Sequence, residues 1–590
     1  MINNRIALLR EKMLSDNIDA YIIPSSDPHQ SEYAPTHWQS REWISGFTGS
    51  AGTVVVTQKH AGLWTDSRYF IQAEEELSNS EIKLHKIIDR SQPEHIVWLS
   101  ENLKSTNTVA IDAPLFSVNQ KNSYQKILAK SQIELKLTND LISSIWSGRP
   151  EIPKTEIFNL ELKFAGKSRG AKINDVRSQM KNLDVGFHLI PTLDDIAWLL
   201  NLRGRDVHCN PVFVSFVIVT IQDCFLFINK TKINNELNSQ LENDNITILP
   251  YDSINNYLNN LNSADSILID PSTINLSLKE SLSNTNIING KMPSQLAKAK
   301  KNNIEIENIR KCMVKDGLAL TQAFYTLEQT LKNGSLKENE FANVIAKKRS
   351  EQDDYFGESF DAIVGYNGNG AIVHYHPTAE NSATITSEGI LLVDSGGQYY
   401  DGTTDITRTI ALSKPTDEQK NAYTRVLKGH IALDRAVFPY GTTGGQLDIL
   451  ARQYLWEDRL NFLHGTGHGV GFFLNVHEGP HSISPGQSHM TRHKIEVGML
   501  TSNEPGYYKA NSYGIRIENL ILTENAEKEG FLTFETVTLF PIDTQLIDLN
   551  LMNSNEIKWL NEYHIKVYKN LSPHLKEKYR LWLKDKCQKI

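Results

Sequence analysis

Two aspartates in the glycine-rich stretch from Ile390 to Arg408 are spaced so that they could act on one chemical group. Asp394 ends an apolar run, and Asp405 opens a second, β-branched run after a turn rich in glycine. This pattern predicts a β-hairpin. Alternate residues of a strand share a face, so carboxylates on two paired strands can converge. Because adjacent carboxylates repel and are costly to desolvate, the pair indicates a shared proton or a bound cation.

Histidines in a second glycine-rich stretch could add imidazole nitrogens to these carboxylate oxygens. His464 and His468 stand in the sequence HGTGHGVG, and His477 follows it. The flanking glycines argue against a helix that would present His464 and His468 together as a zinc-binding pair. A lone histidine is more often a packed or surface residue, so we expect at most one or two of these imidazoles to contact a metal.

Two glutamates complete the set of candidate ligands. Glu504 follows the apolar stretch Val497 to Leu500 and precedes Pro505, which restricts its backbone. Further along, strand alternation places Arg516 and Glu518 on one face. Taken singly, Glu504 could be a solvated turn residue, and Arg516 with Glu518 could be a surface ion pair on an edge strand.

Taken together, these segments supply two aspartates, one or two histidines and two glutamates, with no thiolate. Hard oxygen donors and imidazole suit Mn²⁺, Co²⁺, Zn²⁺ or Fe²⁺ better than a structural zinc site. Four carboxylates also suit two ions, roughly 3.5–4 Å apart, that share bridging ligands. The sequence therefore predicts a metal centre built from distant segments.

Composition and charge argue against several other classes of protein. The 61 basic and 69 acidic residues give a net charge of −8, which offers no indication of nucleic-acid binding. The four cysteines form no C-x-x-C pair, which indicates a reducing compartment. The N-terminus does not resemble a signal peptide. Polar residues interrupt the longest apolar run, Val212 to Ile228, so we expect two buried strands there, no membrane span and a cytoplasmic protein.

At 590 residues, the chain is too long for one core. An internal repeat organises its first half. Helical patterns alternate with short apolar strands, which indicates an α/β fold. Ile6 to Pro24 aligns without gaps with Ile173 to Pro191, and a block led by tryptophan follows in both copies. We therefore predict two duplicated domains, residues 1–152 and 153–299, and a third domain, residues 300–590.

Three further helical segments are predicted from apolar spacing. Ser67 to Glu76 is expected to be helical in the first domain, and a long helix is expected from Ile304 to Leu320 in the third. The tail, Glu556 to Lys589, is amphipathic and is expected to form two helices with a break near Pro573. The third domain contains nearly all of the candidate chemistry.

The order and context of the five candidate ligands resemble the signature of the pita-bread metallopeptidases, a family that includes methionine aminopeptidase, prolidase and Xaa-Pro aminopeptidase. The five are Asp394, Asp405, His468, Glu504 and Glu518. The sequences VDSGGQYYDGTTDITRT, HGTGHGVGFFLNVHEGP and NEPGYY are similar to the aminopeptidase P branch, and the repeated N-terminal domains resemble its three-domain cytosolic type. The resemblance covers essentially the whole chain. It implies two creatinase-like α/β domains followed by a pita-bread catalytic domain.

The function that the resemblance implies is release of the N-terminal residue from peptides with proline at the second position, by a hydroxide between two divalent ions. Asp394 would bind one ion, Asp405 and Glu518 would bridge both, and His468 and Glu504 would complete the second sphere. Mn²⁺ is the expected metal, with Zn²⁺ and Co²⁺ as alternatives. Glu504 would also be the general base that passes a proton to the leaving proline nitrogen.

The resemblance also implies residues that act without binding metal. His374, His464 and His477 would donate to the scissile carbonyl and the developing oxyanion, or shuttle protons. We prefer His374 to His376 because the apolar run before His374 would bury it. The substrate-binding candidates are His374, His477, Arg516, Arg68, Phe360 and Val373.

Each remaining substrate-binding candidate has an ordinary structural alternative. Arg516 could orient Glu518 instead of contacting substrate. Arg68 resembles a residue that closes over longer peptides, but it could equally be an arginine on a helix surface. Phe360 and Val373 are expected to line the pocket for the proline ring, although apolar residues are usually core.

Three alternatives to aminopeptidase P remain at this point. A prolidase shares the ligands but cuts only Xaa-Pro dipeptides. A creatinase-like hydrolase shares the fold without the ligand set, and the five intact ligands argue against it. A catalytically inactive pita-bread protein would be a binding module. The resemblance further implies a homodimer.

Overall fold

The computed structural model describes residues 1–88, 91–486 and 488–590. The chain divides into two compact units. The first unit comprises Met1–Leu160 and Lys167–Ser294, and the second comprises Glu161–Gly166 and Gln295–Ile590. Within the described ranges, no helix is both long and apolar enough to cross a membrane.

The first unit contains two six-stranded sheets with the same strand order. The first sheet has the order Lys83–Lys86, Ala61–Thr65, Thr53–Thr57, Ala20–Pro24, Thr108–Asp112 and Glu134–Thr138. The second has the order Ile246–Leu249, Cys224–Ile228, Ser215–Thr220, Phe187–Ile190, Ser266–Ile269 and Asn286–Asn289. In both, the third strand is antiparallel to its neighbours, and the other pairs are parallel. The shared topology agrees with the predicted duplication.

Helices flank each sheet in the first unit. Around the first sheet they are Ile2–Ser15, Ser40–Ser45, Phe70–Glu76, Glu94–Asn102 and Val118–Leu128. Around the second they are Arg169–Asn182, Leu193–Leu200, Asn235–Asn243, Ile254–Asn259 and Leu276–Glu280. A small strand pair, Phe158–Asn159 with Leu202–Arg203, completes the unit. The domain boundaries at 152/153 and 299/300 stay a prediction.

Apolar spacing explains the first helix and the strand that follows it. Ile6, Leu9 and Met13 recur at helical spacing and are fully buried against the sheet. The strand Ala20–Pro24 is buried at every residue, as expected for a central strand covered on both faces.

Two elements of the first unit were predicted with different success. The run from Val212 to Ile228 forms two strands, as predicted. The predicted helix from Ser67 is wrong at its start, because the helix begins only at Phe70. The Asp66 carboxylate instead accepts hydrogen bonds from the backbone and side chain of Arg68, which hold a turn there.

The second unit is built on two larger sheets and a group of helices. In one sheet, Tyr355–Tyr366, Ile390–Tyr399 and Gly402–Thr403 are neighbours, and Ile406–Ala411 also pairs with Ile390–Tyr399. The other has the order Phe438–Pro439, Phe531–Thr536, Asn519–Asn525, Leu500–Asn503, Gly467–Gly469 and Glu478–Ile483. Two-stranded pairs are Leu336–Lys337 with Thr384–Ile385, and Gly506–Lys509 with Tyr513–Arg516.

The helices of the second unit include the long helix and the two tail helices that the sequence predicts. They are Leu162–Ala165, Asn303–Leu331, Glu338–Ser350, Asp417–Asp434, Gly444–Trp456, Ser554–Leu571 and Glu577–Lys586, and a further helix, Pro293–Ala299, begins just before residue 295. A capping box between Asn302 and Glu305 starts the long helix. The tail forms two helices on either side of Pro573, as predicted.

Candidate metal centre

The predicted hairpin forms and places its two aspartates beside each other. Asp394 pairs in register with Thr407 across the antiparallel strands, and Asp405 directly precedes the second strand. The turn must be glycine-rich because a Cβ at Gly396 would lie 2.0 Å from the Thr404 carbonyl oxygen. Close packing of the turn therefore holds the two carboxylates at one end of the hairpin.

His468 and Glu504 are positioned by neighbouring strands of the other sheet. His468 is the middle residue of the short strand Gly467–Gly469, so the predicted absence of a helix at this position is confirmed. A Cβ at Gly467 would lie 1.9 Å from the Ser502 carbonyl oxygen, which explains the glycine beside the imidazole. Glu504 immediately follows the strand Leu500–Asn503.

Glu518 lies in a break between strands, and the predicted continuous strand through Arg516 and Glu518 is wrong. One strand ends at Arg516 and the next begins at Asn519. The Glu518 amide donates to the Thr407 carbonyl oxygen, which takes the backbone out of the ladder and brings Glu518 to the aspartate hairpin.

The five predicted ligands converge in the folded chain. Ligand atoms of Asp405, His468 and Glu518 all lie within 4.8 Å of one another. His468 Nε2 is 3.5 Å from Asp405 Oδ2 and 3.4 Å from Glu504 Oε1. Asp394 is buried, and its Oδ1 has no hydrogen-bond partner among the described residues. An orphaned carboxylate oxygen beside this donor set fits divalent cations, since cations supply the missing partner.

Electrostatics in the metal-free site are those of crowded acids. Burial raises the pKa of Asp394 to about 7, Arg516 lowers it, and Asp405 and Glu504 raise it further. Burial likewise raises the pKa of Glu504 and that of Glu518. Burial alone would lower the pKa of His468, but Asp405 and Glu504 raise it to about 9. The field in the site therefore favours positive charge.

Two hydroxyl groups that the sequence analysis missed orient the glutamates. Thr407 Oγ1 donates to Glu518 Oε2 at 2.7 Å, and Ser502 Oγ donates to Glu504 Oε1 at 3.1 Å. Thr407 lies two residues after Asp405, and Ser502 lies two residues before Glu504. Residues two apart in an extended chain share a face, so Thr407 lies on the side of Asp405 and Ser502 on the side of Glu504. Strand alternation could therefore have identified both hydroxyl groups.

Arg516 and Tyr508 connect a ligand to a predicted catalytic histidine. Arg516 Nη2 is 2.7 Å from Asp394 Oδ2, and Arg516 Nη1 donates to the Tyr508 hydroxyl at 2.6 Å. The same hydroxyl lies 2.8 Å from His464 Nε2. Arg516 also donates to the Val373 carbonyl oxygen at 3.4 Å, so Val373 borders the site through its backbone. Tyr508 was missed, although it stands in the NEPGYY sequence.

The other predicted site residues lie in several different elements of the fold. The His477 ring is centred 4.3 Å from the His468 ring. Phe360 pairs with Gly396, two residues from Asp394, on the neighbouring strand. His374 is half-buried, so it is less buried than expected, whereas His376 is exposed. Arg68 lies in the first unit, where it pairs with Asp66, and its role with substrate stays a prediction.

Buried polar contacts hold the ligand-bearing strands from behind. Glu478, next to His477, forms an ion pair with Lys301 at 2.5 Å, and both side chains are fully buried. His430, on the helix Asp417–Asp434, lies 3.1 Å from the Asn503 carbonyl oxygen through Nδ1 and 3.1 Å from the Asn519 amide through Nε2. Asn503 and Asn519 are adjacent in sequence to the two glutamate ligands.

Comparison with known families assigns each part of the chain. The profile "Creatinase/Prolidase N-terminal domain" matches residues 5–145 and again, in a second version, residues 148–305. The profile "Metallopeptidase family M24" matches residues 307–525, and "C-terminal region of peptidase_M24" matches residues 530–590.

Individual proteins narrow the assignment within that family. The chain is 40% identical to a probable Xaa-Pro aminopeptidase P of Laccaria bicolor, over 99% of this chain and 93% of the relative. It matches the crystal structure of the X-prolyl aminopeptidase of Caenorhabditis elegans with a TM-score of 0.96 and 33% identity, over 100% of both chains. The Pyrococcus horikoshii prolidase reaches a TM-score of 0.50 and 21% identity over 63% of this chain, which supports only a shared fold. The chain therefore belongs to the Xaa-Pro aminopeptidase family of the M24 metallopeptidases.

Proposed function

We propose that this chain uses two divalent metal ions to release the N-terminal residue from peptides with proline at the second position. The observation that carries the proposal is the convergence of Asp405, His468 and Glu518 within 4.8 Å, next to Asp394 and Glu504. The similarity to Xaa-Pro aminopeptidases over nearly the full chain supports the choice of substrate. The C. elegans enzyme is described as having a dinuclear active site.

The family resemblance supplies the roles that we propose for the five candidate ligands. Asp394 would bind one ion, Asp405 and Glu518 both ions, and His468 and Glu504 the other ion. When bound, the metals lower the pKa of a coordinated water toward neutrality. Glu504 would accept a proton from the attacking water and transfer it to the proline nitrogen as the peptide bond breaks.

The surrounding side chains would bind and polarise the peptide. His374, His464 and His477 would donate hydrogen bonds to the scissile carbonyl as negative charge develops on its oxygen. Tyr508 would hold His464, and Arg516 would hold Asp394, through the contacts described above. Phe360 and Val373 would line the pocket for the proline ring, and Arg68 would contact longer peptides.

The metal and the compartment are further parts of this proposal. We propose Mn²⁺ as the bound metal, with Zn²⁺ and Co²⁺ as alternatives, because four of the five candidate ligands are carboxylates and none is a thiolate. A cytoplasmic location is supported by four free cysteines and by the C. elegans relative, which is described as a cytosolic enzyme.

Hydrolysis of Arg-Pro-Pro and Gly-Pro, each with and without Mn²⁺, tests the activity. We expect release of arginine from the tripeptide that depends on both the metal and the proline, and Arg-Ala-Ala is the matched control. Cleavage of Gly-Pro alone would indicate a prolidase. No hydrolysis with Mn²⁺, Zn²⁺ or Co²⁺ would indicate an inactive binding module.

We also propose that the protein is a homodimer. The second unit exposes several large apolar side chains that a partner subunit could cover, namely Val437, Tyr440, Trp456 and Leu463. Light scattering coupled to gel filtration should give twice the chain mass of 66.8 kDa. A mass of one chain at micromolar concentration would contradict the proposal.

A further inference from the structure

A buried aspartate in the first unit has no hydrogen-bond or ion-pair partner in the part of the chain that the structure describes. Asp112 is the last residue of the strand Thr108–Asp112 and is only 5% exposed. Among the described residues, no hydrogen bond or ion pair reaches its carboxylate, and it does not cap the turn that follows it. A largely buried carboxylate without a protein partner is costly unless solvent or a ligand reaches its oxygens.

The duplicated sheet shows what such a carboxylate ordinarily contacts. Strand register makes Asp270 the counterpart of Asp112, since Ala110 pairs with Tyr21 as Leu268 pairs with His188. The Asp270 Oδ1 atom accepts hydrogen bonds from Ser272, at 2.9 Å from its amide and 2.6 Å from its hydroxyl. Its Oδ2 atom lies 3.2 Å from the Lys291 ammonium.

The sequence of the first copy lacks both of these partners. Pro114 replaces Ser272, and proline has no amide hydrogen to donate. The register of the adjacent strand, with Leu135 beside Val109 and Ile287 beside Ile267, places Asn139 where the second copy has Lys291. Asp112 therefore lacks both the donor and the cation that contact Asp270.

Asp112 faces a cleft that is large enough for a ligand. The cleft has a volume of about 660 Å³ and lies at the carboxyl ends of the parallel strands. Trp38 and Leu115 contribute apolar walls, and Glu280 and Asp140 contribute further carboxylates. The Arg149 guanidinium is engaged with Asp140 and with the His37 carbonyl oxygen.

We propose that this cleft binds a primary ammonium group on a short apolar stem, with the ammonium beside Asp112 where Lys291 lies beside Asp270. The apolar walls would contact the stem, and the carboxylates would balance the charge. A metal ion fits less well. No group of three metal-competent side chains with ligand atoms within 4.8 Å includes Asp112 in the described part of the chain.

Ligand binding should also change the ionisation of Asp112. Burial raises the pKa of Asp112 to about 8, Asp140 raises it, and Arg149 lowers it. The other titratable groups around it are His37, Glu280 and Tyr21. A bound ammonium favours the ionised carboxylate, so binding at pH 7 should release up to one proton and should strengthen as pH rises toward 8.

Isothermal titration of the full chain with n-butylammonium tests the site, with a chelator present to keep the metal centre empty. We expect one saturable site per chain and proton release, measured by comparing buffers with different ionisation enthalpies. n-Butanol, the neutral analogue, should not bind. n-Butylguanidinium distinguishes ammonium from guanidinium recognition, and tighter binding of the guanidinium would overturn the ligand class proposed.

Two variants make the test specific. Asp112→Asn should weaken n-butylammonium binding by about tenfold or more, because an ion-paired hydrogen bond is lost. Asn139→Lys keeps the carboxylate but supplies the cation of the second copy, so it should abolish binding and raise the melting temperature. Wild-type affinity in either variant would overturn the proposal, and peptidase activity plays no part in the readout.

Discussion

Glu504, the proposed general base, is held beside the candidate ligand His468. Its carboxylate lies 3.4 Å from the His468 imidazole and accepts a hydrogen bond from Ser502. In the metal-free site, burial raises the pKa of Glu504. We therefore propose that Glu504 both binds a metal ion and accepts the proton of the attacking water.

We predict that Glu504→Gln lowers kcat by at least about a hundredfold while substrate still binds, because the amide keeps the size of the side chain but cannot accept a proton. Stopped-flow turnover, with peptide binding measured by competition, checks this. Metal content must be measured in parallel, and the exposed Glu527→Gln is the matched control. Wild-type kcat in a metal-loaded Glu504→Gln variant would show that Glu504 is not the general base.

At the scale of elements, one helix contacts two strand ends. One of these ends lies just before Glu504, and the other begins just after Glu518. His430 on the helix Asp417–Asp434 contacts Asn503 and Asn519, and the Asn503 amide donates back to the His430 carbonyl oxygen at 2.9 Å. Burial lowers the pKa of His430 to about 3, so the ring is neutral and uses both nitrogens. The helix therefore fixes the spacing of Glu504 and Glu518.

His430 should make the second unit less stable in acid. The unfolded histidine binds a proton below about pH 6.5 while the folded one does not, so stability falls as pH decreases, by about 2 kcal/mol at pH 5. His430→Gln should lower the stability at pH 7 but reduce this loss between pH 7 and 5. Urea unfolding of the second unit measures both effects. The exposed His574→Gln should leave the slope unchanged, and an equal slope in His430→Gln would contradict the prediction.

At the scale of the whole molecule, the five candidate metal ligands all belong to one of the two compact units. A ligand that binds only the folded state stabilises the unit that contains its site, by about 2.7 kcal/mol at a hundred times its dissociation constant. Binding of metal should therefore act unequally on the two units.

Calorimetry of the full chain should show this difference. Adding Mn²⁺ to chelator-treated protein should raise the melting temperature of the second unit and leave that of the first unit nearly unchanged. Asp405→Asn should remove the shift, because it deletes a carboxylate from the group that converges on His468. An equal shift of both transitions, or an undiminished shift in Asp405→Asn, would contradict this assignment.

Much of the site could be predicted because its signals are local. Asp394 and Asp405 lie within one hairpin. Its glycine-rich turn and the alternating faces of its strands can be recognised from one short stretch of sequence. The glycines around His468 are required by close contacts of the short strand that contains it. Tyr508 was missed because its hydroxyl meets His464 from a hairpin 44 residues away in sequence.

The sequence by itself was enough to predict the identity and order of the five candidate ligands, the repeat in the first half and most of the helices and strands. The tertiary structure decided which strands are neighbours, because apolar strands pair with many partners equally well until the whole sheet forms. Arg516 reaches Asp394 across 122 residues of sequence, and Glu518 reaches Thr407 across 111. The surroundings of Asp112 and Asp270 also depend on the fold, because strand register brings Asn139 towards the first and Lys291 towards the second.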